Sequence, residues 1–290
     1  MATTLGDIRT RLAYRLAEDS APSDSNEAAR RDSFINEGYR KILNEGYWWF
    51  TKTISQTQGV SGQETYTLAT DFRDMVELRL DRLVCDFIAE DDVFAQTNYP
   101  PNYYKYGGIN QRYYIFGENE LHLLPVPSST PSTLSITLTQ TGGVATATSA
   151  AHGLEVGDYV LIAGADQSGY NGTVQVTATT TNTFTYAVSA STVSPATGTI
   201  TGVWQNIVYR YYKYPSALTA STDNIVIPDQ FSDVLVAYAL GRYSYLDDTR
   251  GNSADAFEEY NQILKDMRVE NNKRLWWGKQ TPPEVHEMYD

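Results

Sequence analysis

The chain has 290 residues, of which 41% are hydrophobic and 12% aromatic, and this is enough apolar material for a packed core. Its apolar runs are far shorter than the ~20 residues that cross a bilayer, and the opening MATTLGDIRT has no signal core, so we expect a soluble chain made in a cytosol. The formal net charge of −13 argues against tight nucleic-acid binding by the whole fold, because Lys and Arg supply most of that affinity.

Two helices are predicted before residue 50. Thr4 and Asp7 have the spacing of a capping box, and four apolar residues after Thr4 share one helical face: Leu5, Ile8, Leu12 and Leu16. A second helix of about 20 residues is expected, with Asp24 or Ser25 as its N-cap. Its inner stripe comprises Phe34, Ile35, Gly38, Tyr39, Ile42 and Gly46. The aromatic and β-branched residues that follow, from GYWWF onward, predict a hairpin and a further extended segment.

The middle of the chain has a different composition. Between Arg112 and Arg210 there is no Lys or Arg, although an even spread of basic residues would place about seven there. Within this gap, residues 128–202 are rich in Ser, Thr, Gly and Ala and alternate apolar with polar positions, which predicts strands. Asn171-Gly172 indicates a type I′ hairpin turn. We therefore predict an all-β domain, either a small barrel or a sandwich.

The segments that flank this domain are both predicted to be strands. Their patterning suggests that residues 121–126 pair with residues 207–214 in one hairpin, with Pro125 and Pro127 tolerated at a strand end or sheet edge. The all-β domain would then be an insertion at the hairpin tip, where added length costs little. The predicted organisation is a discontinuous core of 1–127 and 203–275, an inserted domain of 128–202, and a C-terminal tail of 276–290.

The last third is predicted to be helical up to an extended tail. Pro228 opens a helix whose buried positions are Phe231, Val234, Leu235, Tyr238 and Ala239, and a final amphipathic helix runs to about Arg274. Gly278 and the Pro282-Pro283 pair then favour an extended tail. Two adjacent tryptophans at this transition cannot both face one core, so we expect the tail to bind a partner protein, the portal or a tail segment. The residues expected to make this contact are Trp276, Trp277, Pro282, Pro283, Met288 and Tyr289.

No pattern in the sequence carries catalytic or cofactor chemistry. His122, His152 and His286 are isolated, and metal-binding, phosphate-binding and nucleophile motifs are absent, so we predict no catalytic, cofactor or metal site. Cys85 lies in an apolar-polar run and is interpreted as a buried small hydrophobe. A rival hypothesis is a cell-wall polysaccharide hydrolase that uses paired acids such as Asp91 and Asp92.

Tyrosine is the other abundant feature, with 22 residues. The clusters YPPNYYKYGG and YRYYKYP are interpreted mainly as core or protein-interface residues, since Tyr brings large contact area at low entropic cost. A platform on which sugars or bases stack is the alternative. A carbohydrate-binding virion module is therefore a second rival function.

The order of the elements resembles that of the tailed-bacteriophage head-to-tail adaptor proteins, also called head completion or connector proteins. The resemblance covers about residues 1–127 and 203–275. It rests on the L-x-L-x-P-x-P-like strand from Leu121 to Pro127, the Tyr-rich return strand, and Ile227-Pro228 opening a helix. The stretch AHGLEVGDYVLIAG with YNGTVQVT and TFTYAV separately resembles a small β-module inserted in phage virion proteins.

The resemblance implies an α+β fold, in which a helical bundle and a small antiparallel β-sheet form the adaptor core and carry the inserted all-β domain. It also implies a non-enzymatic virion protein of the phage neck that forms a ring, usually a dodecamer, under the portal protein. Such a ring extends the DNA channel and carries the tail, nozzle or tail-tube protein and fibres, with the C-terminal segment gripping the portal. The genome would pass through without specific binding, which agrees with the acidic charge; no cofactor and no membrane are implied.

Overall fold

The structure, a computed structural model, describes residues 3–18, 22, 24–89, 111–246 and 253–276. The chain divides into two compact units, one made of residues 1–52 and 212–290 and the other of residues 53–211. The described residues form four α-helices and sixteen β-strands, so the fold is α+β. All the described α-helices belong to the first unit.

The first unit begins with helix α1, Leu5–Arg15, and its predicted capping box is confirmed. The Thr4 hydroxyl accepts a hydrogen bond from the Asp7 N–H at 3.2 Å, and the Asp7 carboxylate accepts one from the Thr4 N–H at 2.8 Å. These bonds satisfy backbone donors that the first helical turn cannot pair internally. The buried face comprises Leu5, Ile8, Leu12 and Ala13.

Helix α2, Ser25–Glu45, is capped by the Asp24 carboxylate, which accepts from the Asn26 N–H at 2.8 Å. It packs against helix α3, Asp233–Leu246, which follows a 3-10 turn at Asp229–Phe231. Helix α4, Ser253–Trp276, in turn packs against α3. The predicted buried positions of α2 and α3 are confirmed for Phe34, Ile35, Gly38, Tyr39, Ile42, Val234, Leu235, Tyr238 and Ala239, whereas Phe231 is only half-buried. Helix α4 buries Tyr260, Leu264 and Met267.

A buried arginine joins the helices of this unit. Arg31 on α2 is 4% exposed, and its guanidinium donates two hydrogen bonds of 2.8 Å to the Glu18 carboxylate. A third donor reaches Glu27 at 3.0 Å, and the guanidinium lies 5.2 Å from the centre of the Tyr243 ring. Two carboxylates and an aromatic face therefore compensate the cost of burying this charge.

The second unit contains two small sheets that share one core. One has the strand order β1-β16-β3-β4 and the other β2-β7-β6-β5. Buried residues of both sheets form a single cluster, in which Leu121 and Leu123 meet Leu78, Tyr209 and Tyr211. The strand bounds are β1 Lys52–Thr57, β2 Thr65–Thr67, β3 Phe72–Leu80, β4 Leu83–Val84, β5 Asp86–Phe87, β6 Arg112–Phe116, β7 Glu120–Leu124 and β16 Ile207–Lys213.

The predicted hairpin between residues 121–126 and 207–214 is wrong. Strand β7 lies between β2 and β6, and β16 lies between β1 and β3, so each has both edges occupied by other strands. The two segments do come together, but through their apolar faces across the shared core rather than edge to edge. Alternating apolar residues predict which face is buried and do not specify the strand partner.

Residues 133–204 form a closed β-barrel. The strands make two four-stranded sheets, β13-β14-β10-β9 and β12-β11-β15-β8, with antiparallel pairing throughout. The strand bounds are β8 Thr133–Ser135, β9 Thr137–Thr141, β10 Val144–Thr148, β11 Tyr159–Ala165, β12 Gly172–Gln175, β13 Ala178–Thr179, β14 Thr183–Ala187 and β15 Gly198–Trp204.

The barrel closes because two strands change sheets along their length. Between β8 and β9, the Ile136 N–H donates to the Ile200 carbonyl at 3.0 Å, so pairing passes from β15 to β10 without a break. Between β12 and β13, the Thr177 N–H donates to the Thr185 carbonyl at 2.8 Å. Both open edges are thereby joined, and the barrel presents no free strand edge to a partner.

The barrel has its own apolar core. It includes the fully buried Phe184 and Tyr186, which stack with ring centres 6.4 Å apart. The predicted type I′ turn at Asn171-Gly172 is wrong, because Asn171 has an extended backbone with φ −79°. A short 3-10 turn at Ser168–Tyr170 makes the β11–β12 connection longer, and the Asn171 amide instead bonds the backbone of Ala165.

Candidate interface sites

The turn between β3 and β4 joins the shared-core sheets to the barrel. Leu80 pairs with Leu83, which leaves Asp81 and Arg82 as a two-residue turn. Both have positive φ, 50° and 69°, the geometry of a type I′ hairpin. Asp81 contacts Asn206, in the link between β15 of the barrel and β16: the Asp81 N–H donates to the Asn206 carbonyl at 3.0 Å, and the Asp81 carboxylate accepts from the Asn206 amide at 2.8 Å.

Arg82 extends from this turn to the barrel surface. Its guanidinium donates two hydrogen bonds to the Asp158 carboxylate, at 3.0 and 2.6 Å, and one to the Gly153 carbonyl at 3.0 Å. Glu155 lies 3.1 Å away, and the guanidinium carbon lies 4.5 Å from the Trp204 ring centre. The hydrogen bond to Asp158 and the nearby acids together raise the pKa of Arg82 above its ordinary value.

We call this contact set the Arg82 anchor, and its Asp158 carboxylate is shielded from solvent. The Asp158 side chain is only 6% exposed, whereas that of Arg82 is 34% exposed. A bidentate pair with a buried carboxylate fixes both distance and orientation, unlike a single surface contact. The anchor therefore holds the barrel in one position against the β3–β4 hairpin.

A cleft of about 480 Å³ opens beside the Arg82 anchor. One wall is the outer face of strands β1, β3 and β16, and the other is the barrel segment 155–159 with Trp204. Its apolar lining is formed by Ile54, Val156, Trp204 and Val208. This volume is in the range of clefts that take a small molecule or a few residues of a partner chain.

Two arginines in the cleft share a single carboxylate. Arg79 donates to Glu77 at 2.5 Å and Arg210 donates to Glu77 at 3.0 Å. Both guanidinium side chains stay about half exposed, at 49% and 52%. Burial would raise the pKa of Glu77, but the hydrogen bonds from Arg210 and Arg79 outweigh it and lower that pKa. The trio carries a formal excess of one positive charge, which is offset in the same cleft by Arg82 with Glu155 and Asp158.

Comparison with models of protein families assigns the chain to one family. The model of the SU10 adaptor protein family matches residues 3–283, nearly the whole sequence. The chain belongs to the SU10 adaptor protein family. No curated protein matches it. The family match spans both compact units and the barrel, so all of these elements lie within the matched range of this adaptor.

The residues predicted to bind a partner fall at the end of the described chain. Trp276 is the last residue of α4. Trp277, Pro282, Pro283, Met288 and Tyr289 lie outside the described residues, so their role stays a prediction.

The candidate chemistry of the adaptor can be placed only in part. Cys85 is 5% exposed, and burial raises the pKa of its thiol to about 11, so the thiol stays protonated at neutral pH and behaves as the predicted small hydrophobe. Asp91 and Asp92 lie outside the described residues. Within the part of the chain that is described, no cluster of three or more His, Cys, Asp or Glu is arranged to hold a metal ion.

The described tyrosines of the return strand lie mainly in the core. Tyr209 and Tyr211 on β16 are 3% and 4% exposed and are tilted against each other with ring centres 5.4 Å apart. The Tyr209 hydroxyl accepts a hydrogen bond from the Ala69 N–H at 2.9 Å. These two rings are unavailable for stacking on a sugar. The other cluster, residues 99–108, lies outside the described residues.

The anchor and the arginine pair were missed by sequence reasoning. The stretch LRLDRLV does carry a signal for the turn, because Asp81-Arg82 interrupts two alternating apolar runs by two residues. Nothing local to Arg82 indicates a partner 76 positions away at Asp158. Among the described helices, none is long and apolar enough to span a membrane.

Proposed function

We propose that this adaptor is a head-to-tail neck protein of a tailed bacteriophage. In this proposal it is a virion component, made in the host bacterial cytoplasm, that forms a homo-oligomeric ring, most simply a dodecamer, under the portal protein. The ring extends the DNA channel and provides the platform for tail, nozzle or tail-tube attachment. The single observation that carries the proposal is the match of residues 3–283 to the SU10 adaptor protein family.

The net negative charge of the chain supports a role in which the protein lies beside packaged DNA and does not bind it. With 35 acidic and 22 basic residues, an assembly of many copies has a strongly negative field. Several of the arginines of the first unit are engaged by carboxylates, as Arg9 is by Asp32 at 2.7 Å and Arg15 is by Glu259. An acidic channel repels the phosphate backbone, so DNA passes without sticking.

We propose that residues 128–202 are a domain inserted into a core of residues 1–127 and 203–275. The closed strand order and the separate apolar core of the barrel support this division. The segment contains no Lys or Arg and three acidic residues: Glu155, Asp158 and Asp166. Because the barrel has no free strand edge, contacts with a tail protein or fibre would use its side chains and loops.

The tail of residues 276–290 is proposed to grip the portal protein. Two tryptophans followed by a Pro-Pro pair supply large apolar side chains on a chain that resists helix formation. Repeated around a ring, many weak tail contacts add up to firm attachment. The mechanism is assembly, with no catalytic step.

Co-sedimentation with purified portal protein tests this function. Full-length chain should sediment with the portal in a fixed ratio, and a chain truncated to residues 1–275 should keep its fold and lose docking. A Trp276→Ala/Trp277→Ala variant isolates the aromatic contribution, while Tyr14→Ala, which removes a 67% exposed aromatic far from the tail in sequence, is the matched control. Undiminished docking of the truncated chain would contradict the role of the tail, and no docking of the full-length chain would contradict the function.

A further inference from the structure

Asn171-Gly172 is the only Asn-Gly dipeptide in the sequence. It does not form the predicted hairpin turn, and the proposed function does not use it. An asparagine before glycine is prone to spontaneous deamidation, because glycine has no side chain to hinder attack by its backbone nitrogen on the asparagine amide. Asn171 is exposed, so solvent reaches it. The pair therefore combines a reactive sequence with access to the water that the reaction needs.

Two hydrogen bonds fix the Asn171 side chain to the backbone of β11. The Ala165 N–H donates to Asn171 Oδ1 at 3.0 Å, and Asn171 Nδ2 donates to the Ala165 carbonyl at 2.7 Å. Pairing between β11 and β12 ends where Ile162 faces Gly172, so β12 itself provides no partner for Ala165. The Asn171 amide supplies the acceptor and the donor that a neighbouring strand would otherwise give. We call these two bonds the Asn171 clamp.

The folded geometry at Asn171 does not permit the deamidation reaction. Deamidation closes a cyclic imide, for which the Gly172 nitrogen must enter the plane of the Asn171 Cα, Cβ and Cγ atoms. The extended backbone of Asn171, with ψ 150°, holds that nitrogen out of this plane. The clamp also retains Nδ2, which is the group that leaves. Both the backbone and the side-chain amide must therefore be released before the reaction begins.

We infer that Asn171 is a latent deamidation site, which the clamp keeps unreactive until the β11–β12 connection opens. In the open chain the Gly172 nitrogen attacks Asn171 Cγ. The N–Cγ bond forms, the Cγ–Nδ2 bond breaks, and Nδ2 leaves as ammonia with the proton lost from the Gly172 N–H. Water then opens the cyclic imide at either carbonyl and leaves aspartate or isoaspartate. The inference rests on barrel residues alone and is independent of the proposed adaptor function.

The product of this reaction cannot rebuild the clamp. A carboxylate has no N–H donor for the Ala165 carbonyl, and its negative charge would face that oxygen. Isoaspartate also adds a methylene group to the backbone before Gly172. The preceding residue, Tyr170, is fully buried in the barrel core and donates from its hydroxyl to the Val193 carbonyl at 3.0 Å. Deamidation therefore makes a local opening permanent at a point directly connected to the barrel core.

The rate of deamidation at Asn171 tests the inference. The full-length chain is incubated at mildly alkaline pH and analysed by peptide mapping with mass spectrometry. The reference is the synthetic peptide SGYNGTVQ, residues 168–175, under the same conditions. Asn171 in the folded chain should react roughly tenfold more slowly or less than that, because only the open fraction of the chain can react. Equal rates in the chain and the peptide would overturn the inference, since the clamp would then give no protection.

The variant Asn171→Asp, which has the chemical structure of one product, tests the clamp itself. Amide hydrogen exchange in peptides that contain residues 165–172 should become roughly tenfold faster, because the donor to the Ala165 carbonyl is lost. Asn182→Asp is the matched control in the same barrel. Asn182 Oδ1 accepts from the Ala151 N–H at 3.0 Å, and a carboxylate still accepts that bond, so exchange at residues 149–153 should stay at the wild-type level.

Two results of this exchange experiment would overturn the inference. Wild-type exchange around residue 171 in the Asn171→Asp chain would show that the clamp does not hold the connection. Equal acceleration around residues 171 and 182 in their respective variants would show that the added charge alone is responsible. If Asn171→Asp does not fold, the comparison of deamidation rates between the wild-type chain and the peptide still decides the question.

Discussion

Replacing Arg82 by alanine is expected to loosen the barrel without unfolding it. The change removes the two hydrogen bonds to Asp158, the bond to the Gly153 carbonyl and the stacking on Trp204. The barrel keeps its own core of residues such as Phe184 and Tyr186, so its internal packing is untouched. What is lost is the side-chain connection between the β3–β4 turn and the barrel.

The cost can be estimated from the burial of the partner. Breaking a buried ion pair costs ~3–5 kcal/mol, because it leaves an uncompensated charge. The Asp158 side chain is 6% exposed, but it still accepts from the Glu155 N–H at 2.8 Å, and the third of the Arg82 side chain that is exposed lets water enter in its place. We therefore expect ~2–3 kcal/mol, including the cation–π contact with Trp204.

Amide hydrogen exchange measured by mass spectrometry is the direct assay. A loss of ~2–3 kcal/mol corresponds to roughly 30- to 150-fold faster exchange wherever the anchor controls local opening. The increase should be confined to peptides that contain residues 153–158 and residues 81–82. Peptides from the barrel strand β14 should exchange as in the wild-type chain. Arg82→Lys should give an intermediate effect, because Lys keeps the charge without the paired donors.

Arg79→Ala is the matched control, since Arg79 lies three residues before Arg82 on the same hairpin and bonds Glu77 of its own strand. It should leave exchange at residues 153–158 unchanged. Unchanged exchange in the Arg82→Ala chain would refute the reasoning, because it would mean that the anchor does not hold the barrel. Loss of protection throughout the barrel would also refute it, since the barrel core would then depend on Arg82.

Three further predictions concern packing, reactivity and pH. Gly38→Ala should lower the free energy of unfolding by ~1–3 kcal/mol in chemical denaturation, because the added Cβ would lie 2.6 Å from the buried ring of Tyr238; a gain in stability from better helix propensity would contradict this. Cys85, with its pKa raised to about 11 by burial, should react with a thiol reagent only after unfolding, and rapid labelling of the native chain would show that it is not buried. The pKa of Glu27 is lowered by hydrogen bonds from Tyr243 and Arg31, and the pKa of Glu259 is lowered by Arg15. The stability that these two carboxylates give the fold is therefore complete above the ordinary pKa of 4.5 and is lost as pH falls through the lowered values. A urea unfolding midpoint that does not fall between pH 6 and pH 3 would contradict this.

Local patterns in the sequence predict the elements of this fold well. The capping box at Thr4 and Asp7 and the N-cap at Asp24 are each set by residues within three positions, so reading them needs no tertiary knowledge. The all-β character of residues 128–202 also follows from local alternation of apolar and polar residues. Local alternation does not distinguish a barrel from a sandwich, because closure depends on strands that change partner at positions such as Ile136 and Thr177.

Long-range contacts are where sequence reasoning fails here. The pairing predicted for residues 121–126 and 207–214 treated two strands with buried faces as neighbours in one sheet, whereas their faces meet across a core. The candidate site is the part of the structure that the sequence predicts least. Arg82 binds Asp158 and Arg210 shares Glu77 with Arg79, and these partners lie 76 and 133 positions apart. No local pattern encodes such distances.

Electron cryo-microscopy of the phage neck tests the central claim most directly. Particles that carry the full-length chain should show a ring of identical copies between the portal protein and the tail, with residues 276–290 contacting the portal and the barrel of residues 133–204 resolved in each copy. Density for the chain elsewhere in the virion, such as on a fibre, or a portal–tail junction without it, would contradict the account.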